Sequence, residues 1–189
     1  MKDKIKEEKT LFDGFFKITE GRIDRENYGG GAEEITRLSF DRGDSAAVLI
    51  RETDTDRLIF TEQYRYPSGK KDCARPLEIP AGAVNPGEDP RAAALREAEE
   101  ETGYRPASVR AVADIFPSPG GSSERIFIYF ATCTSADRSG EGGGAKAESE
   151  DIRTVKYTTA KVREMYRSGN FRDAKTLIAV QWFLMKSEK

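Results

Sequence analysis

Residues 89–103, DPRAAALREAEEETG, are the stretch that most restricts how this chain can fold. Asp89 suits the cap of a helix, Pro90 its first position, and Gly103 the residue just past its end. Inside those limits, Glu97, Glu99, Glu100 and Glu101 crowd four carboxylates into five positions. At about 100° per residue, Glu101 lies near 40° from Glu97 and Glu100 near −60°, so three of the four converge on one side. Ala94, Leu95, Ala98 and Thr102 fill a neighbouring arc that can pack on a sheet, while Glu99 points to solvent. Like charges at i,i+4 repel, and the helix macrodipole adds a penalty near the C-terminal end. A divalent cation reverses both signs. Carboxylate oxygens suit Mg2+ or Mn2+ rather than zinc. The bland alternative is a solvated acidic face, with Arg96 in surface ion pairs.

The remainder of the chain reads mostly as strands. Residues 11–20 and 33–40 are strand-like around a turn at Tyr28-Gly29-Gly30-Gly31, and 46–51 and 57–65 form a hairpin about Asp54-Thr55-Asp56. A loop follows at 67–72, then a short strand at 77–79. Residues 108–116 and 124–133 are again strand-like, separated by Pro117–Ser123. Residues 137–149, polar and rich in glycine, predict a mobile loop. A strand over 152–158 precedes helices near 159–168 and over 173–186. Many strands with few helices imply an α/β sandwich or α+β domain, not a doubly wound sheet.

Bulk properties exclude several classes. The 189 residues are 37% apolar, enough for the core of one ordinary domain, or of one domain with a small appendage. A net charge of −2 offers no general attraction for nucleic acid or anionic lipid. No apolar run approaches the roughly 18 residues of a membrane span, and the charged start MKDKIKEEKT does not look like a signal peptide. Cys73 and Cys133 form no CxxC, which points to a cytoplasmic setting with reduced thiols. The chain has no histidine. Ser-His and Cys-His nucleophiles and HExxH zinc sites are therefore excluded, and any general base must be sought among the carboxylates.

The spacing is more specific than the acidity. Gly82, Glu88, Arg96, Glu97, Glu100, Glu101 and Gly103, with Ala98 and Tyr104 at apolar places, fill every fixed position of G-x5-E-x7-R-E-U-x-E-E-x-G-U. This resembles the Nudix hydrolases, and the resemblance implies an α/β/α sandwich over residues 43–189. It further implies hydrolysis of a nucleoside diphosphate linked to another group. By position, Glu97 and Glu101 would be the main metal ligands, Glu100 would stand close by, and the Ala81 carbonyl would complete the set. Arg96 would hold Glu100 or Glu88. Gly82 would let the backbone approach the ion. Glu148 resembles the family's base and Glu150 a further ligand to two or three Mg2+ ions.

Pro119, within Ser118-Pro119-Gly120-Gly121 and followed by Ser122-Ser123-Glu124-Arg125, resembles the branch that splits ADP-ribose into AMP and ribose 5-phosphate. Glu148–Ile152 and Arg172–Thr176 also resemble a subgroup acting on GDP-mannose, and a non-catalytic nucleotide-binding module is the rival of another class. The branch resemblance implies that residues 1–42 form a small β-sheet exchanged in a homodimer. Arg37 and either Phe15 or Phe16 would then sandwich the base, with core packing the alternative for the phenylalanines. Arg65 would hold a phosphate or the base side, Glu78 the nucleoside, and Glu124 the terminal ribose.

Overall fold

The structure, a computed structural model, describes residues 3–145 and 150–187. The chain divides into two compact units, residues 1–43 with 116–125, and residues 44–115 with 126–189. Segment 116–125, expected in the second domain, groups with the first.

The first unit is an antiparallel sheet of β1 (Lys4–Asp13), β2 (Lys17–Glu26) and β3 (Ala32–Asp41) in that order. The single strand expected over 11–20 is two strands. Gly14 N–H donates to Phe16 O at 3.0 Å and turns the chain between them. β1 also begins earlier than its sequence suggests, because all ten of its residues are exposed and no apolar alternation marks it. The 116–125 segment is tied to β3. Phe40 N–H donates to Gly121 O at 2.8 Å, and Ser123 N–H to Phe40 O at 3.1 Å.

The second unit is a mixed sheet ordered β10 (Arg153–Thr158), β5 (Arg57–Glu62), β4 (Ser45–Glu52), β9 (Ile126–Cys133) and β8 (Arg110–Ile115). Two short strands extend it: β6 (Leu77–Glu78) on β5 and β7 (Ala81–Ala83) on β4. β4 runs parallel to β9 and antiparallel to β5. Its side chains alternate between two cores, as a pleated strand requires. Ala46, Val48 and Ile50 pack with Ala93, Ala94 and Ala98 of helix α2 (Pro90–Thr102). Here α1 is the short turn Tyr66–Gly69, which lies where a loop was expected. Ala47 and Leu49 pack on the other face with Val162 and Met165 of α3 (Thr159–Arg167) and Ala179, Val180 and Phe183 of α4 (Ala174–Ser187). One helix on one face and two on the other make the α/β/α sandwich within an α+β fold.

Helix α2 ends as its sequence predicts. Asp89 accepts a hydrogen bond from Arg91 N–H at 2.9 Å, and Gly103 adopts the left-handed conformation at φ 75°. The three alanines on its inner face allow a close approach to β4.

Candidate active site

Arg96 organises the acidic helix. Its guanidinium donates to Glu88 at 3.1 and 3.2 Å, to Glu97 at 2.6 Å, to Glu100 at 3.0 Å and to the Ala83 carbonyl at 2.9 Å. It thus joins the loop after β7 to three carboxylates, including both of its expected partners. The hydrogen bond from Arg96 holds the Glu88 carboxyl below its usual range. Glu99 pairs instead with Arg105 on the exposed side.

Gly82 is required by a side chain. A Cβ added there would lie 2.1 Å from Glu97 Oε1 and 2.2 Å from its carboxyl carbon. The Glu97 carboxylate occupies the space that any larger residue would fill. Ala81 precedes it in β7, opposite Ala47 of β4.

Glu101 is 2% exposed, and its Oε2 has no hydrogen-bond partner. Burial, reinforced by the charges of Glu97 and Glu150, pushes its carboxyl up to about 8. Burial also raises Glu97, against the opposing pull of Arg96. Among the described residues, no three carboxylates are already gathered as a metal cage. The donor set nevertheless fits a hard divalent cation: it is all oxygen, it is mutually repulsive, and it includes a buried oxygen lacking a partner.

The glycine-rich segment departs from its expected mobility over 137–145. Ser139 N–H donates to Gly103 O at 2.8 Å, Gly143 N–H to Glu101 O at 2.9 Å, and Gly144 N–H to Glu100 O at 3.0 Å. Gly142, Gly143 and Gly144 all have positive φ, and a Cβ on Gly142 would lie 2.5 Å from Glu101 O. Only glycine permits this contact with the end of α2. Glu150 accepts from Ala145 N–H at 2.8 Å and contributes charge at both Glu97 and Glu101. Glu148 lies outside the described residues.

A buried ion cluster adjoins the carboxylates. Glu78, 5% exposed, accepts from Arg65 at 2.8 Å and from Lys175 at 2.5 Å. Lys175 also reaches Asp173 at 3.0 Å. Burial pushes the Glu78 carboxyl up, but Lys175 and Arg65 outweigh it and hold it below its usual range. Glu78, expected to receive the nucleoside, holds Arg65 through one oxygen and Lys175 through the other. Lys175 and Asp173 were missed as site residues, because a lysine near a helix start gives no sign of burial.

In the first unit, Arg37 and Pro119 line one cleft of about 290 Å3 with Leu38, Ser39 and Gly120–Ser122. Phe15 is 92% exposed, whereas the Phe16 ring packs 4.8 Å from Phe40. Phe15 is the more exposed of the two, its ring meeting Phe16 edge-to-face at 4.7 Å, while Phe16 is packed between Phe15 and Phe40. Glu124 is buried, with Arg42 at 3.8 Å.

Comparison with known proteins agrees with this geometry. The chain is 30% identical over 188 residues to a GDP-mannose pyrophosphatase of Salmonella arizonae, covering 98% of this chain and 94% of that one. It is 32% identical over 184 residues to a GDP-mannose pyrophosphatase of Cronobacter sakazakii, covering 96% and 92%. A solved structure titled as an ADP compounds hydrolase matches the whole chain and 95% of its own at a TM-score of 0.73; at 22% identity it supports the fold alone. The NUDIX domain model matches residues 41–177, which include the Gly82 cradle, the Arg96 clamp and the buried carboxylates. With that match, the chain belongs to the Nudix family.

Proposed function

We propose that this Nudix hydrolase cleaves the pyrophosphate bond of nucleoside diphosphate sugars, with GDP-mannose ahead of ADP-ribose, to give a nucleoside monophosphate and a sugar phosphate. The observation that carries the reaction class is the buried Glu101 carboxylate, its Oε2 without a hydrogen-bond partner, beside Glu97 and the Arg96 clamp. The naming of relatives across nearly the whole chain as GDP-mannose pyrophosphatases moves that sugar nucleotide ahead of ADP-ribose, which the Pro119 region favours by resemblance.

Glu97, Glu101 and Glu150, with the Ala81 carbonyl, would hold Mg2+, with Mn2+ the alternative. Bound there, the cation supplies neutralisation of the pyrophosphate charge and Lewis acidity toward water. Arg96 keeps Glu97 and Glu100 in place before substrate arrives, which lowers the cost of assembling the site. Arg65, fixed by Glu78, presents its remaining N–H donors to a phosphate. With no histidine in the chain, proton removal from the attacking water falls to a carboxylate, Glu148 by resemblance.

The N-terminal sheet is proposed as the interface of an exchanged homodimer. The exposure of Ile5, Leu11, Phe12 and Leu38 on one small sheet, and of Phe15 in the turn between β1 and β2, supports this. A cytoplasmic setting is supported by two free cysteines, and no described helix is long and apolar enough to cross a membrane.

The test is a substrate panel. With Mg2+ or Mn2+, the protein is incubated with GDP-mannose, ADP-ribose, ADP-glucose and NADH, and phosphatase-releasable phosphate is measured. Release greatest from GDP-mannose is expected. Release from none of them refutes catalysis and favours a nucleotide-binding module.

A further inference from the structure

The face of the sheet opposite α2 carries a second concave feature. A cleft of about 460 Å3 opens between β4, β8, β9, α3 and α4. Arg51, Arg110, Arg163 and Lys186 line it, against a single carboxylate, Asp56. Asp56 is already committed: it accepts from Arg51 at 2.8 Å and from Thr159 at 2.8 Å. Arg110, Arg163 and Lys186 have no carboxylate partner among the described residues. Arg51 also keeps a buried Nε with no hydrogen-bond partner. Three uncompensated cations have thus been brought to one concavity in a chain whose net charge is −2.

The cleft is also prepared sterically. The Arg110 guanidinium stands 4.6 Å above the Trp182 ring, and that of Arg51 lies 5.8 Å above Phe183. Contact with the ring faces uses no N–H group, so the donors of Arg110 stay available, as do those of Arg51 that are not on Asp56. Phosphate oxygens match such forks of donors, and a lysine adds a point charge. The volume is that of a small-molecule site. We propose that this cleft binds a phosphorylated small molecule, at a site distinct from the acidic centre. The two lie on opposite faces of the sheet, because Arg51 shares its β4 face with Ala47 and Leu49, whereas α2 packs on Ala46, Val48 and Ile50. This proposal does not depend on which sugar nucleotide is hydrolysed.

Trp182 is the sole tryptophan of the chain and lies in the wall of the cleft, so its emission reports occupancy. Metal-free full-length protein is titrated with inorganic phosphate, pyrophosphate and GMP, with guanosine and sodium chloride as controls. Calorimetry on the same samples covers binding that leaves the ring emission unchanged. The expected result is saturable binding of the phosphates, none of guanosine, and about tenfold weaker binding for each of Arg163→Gln and Lys186→Gln. Glu101→Gln leaves the midpoint unchanged. Preference for GMP over pyrophosphate identifies a nucleotide ligand, and the reverse identifies recognition of the phosphates alone; both support the proposal. It is overturned by the absence of saturable binding in both measurements. An unchanged midpoint in the Arg163→Gln/Lys186→Gln protein overturns it too, as does a salt response of equal size.

Discussion

Replacing Gly82 by alanine separates catalysis from stability. The added methyl would sit 2.1 Å from Glu97 Oε1. Restoring ordinary contact requires that oxygen to retreat by about 1.3 Å, and a misplacement near 1 Å at a reacting centre costs on the order of 10²-fold in rate. The retreat also strains the 2.6 Å bond from Arg96. The fold itself is spared. Gly82 is not among the residues with positive φ, so alanine adopts its backbone without strain, and the obstructing atoms end a flexible side chain. Reduced freedom of the unfolded chain even contributes about 0.4–1 kcal/mol in the variant's favour. The expected outcome is kcat/KM on GDP-mannose lowered about 10²-fold, partly recovered at high Mg2+, with Tm unchanged or slightly raised. Phosphate release across a metal titration, beside a thermal melt, measures both. If Gly82 acts only through Glu97, then Gly82→Ala adds little to Glu97→Gln. Activity of Gly82→Ala within about threefold of the parent at every metal concentration would refute the cradle, as would full additivity with Glu97→Gln.

Three further outcomes are expected. Glu148→Gln lowers kcat by on the order of 10²–10⁴ with little change in the affinity for metal, and turnover within about twofold sinks its assignment as base. Lys156→Met strands Glu52, which is 1% exposed and bonded to Lys156 at 2.7 Å and to Tyr104 at 2.5 Å; loss of a buried partner costs about 3 kcal/mol, or roughly 6–12 °C in Tm, and a shift under about 2 °C contradicts the reasoning. The same variant weakens a pH dependence. In the parent, burial pushes the Glu52 carboxyl up, but Lys156, Thr55 and Tyr104 hold it below its usual range, so its contribution is present above the unfolded value of 4.5 and lost as pH falls through the folded one. In Lys156→Met the lysine's share of that hold is gone and the folded value rises, so less of this stability is lost on acidification; denaturant melts at pH 3, 4 and 5 that show the parent's full loss from Glu52 would contradict it.

Much of the site was legible because it is encoded locally. Helix α2 carries its own cap, its own stop and its own ligand spacing within 15 residues, so periodicity alone orients Glu97, Glu100 and Glu101. β1 was legible only in part: an exposed strand such as KIKEEKTLFD bears no burial pattern to read. The Glu78–Lys175 pair joins positions 97 apart in the chain, and nothing in either neighbourhood announces the other. The docking of 137–145 was hidden for the opposite reason. Consecutive glycines suggest freedom, yet here positive φ and close backbone approach demand them.

That docked segment has a consequence for the charge balance of the proposed metal site. The last carbonyls of a helix need donors, and a lysine or arginine side chain often supplies one. No basic residue occupies the last turn of α2, and the backbone amides of Ser139, Gly143 and Gly144 serve instead. The helix end is closed by neutral groups. Arg96 already holds Glu97 and Glu100, so Glu101 is the carboxylate that neutral capping spares: an ammonium or guanidinium at the helix end would stand beside it as a permanent rival to a cation. By capping with main chain, the fold finishes the helix without setting a fixed positive charge against Glu101.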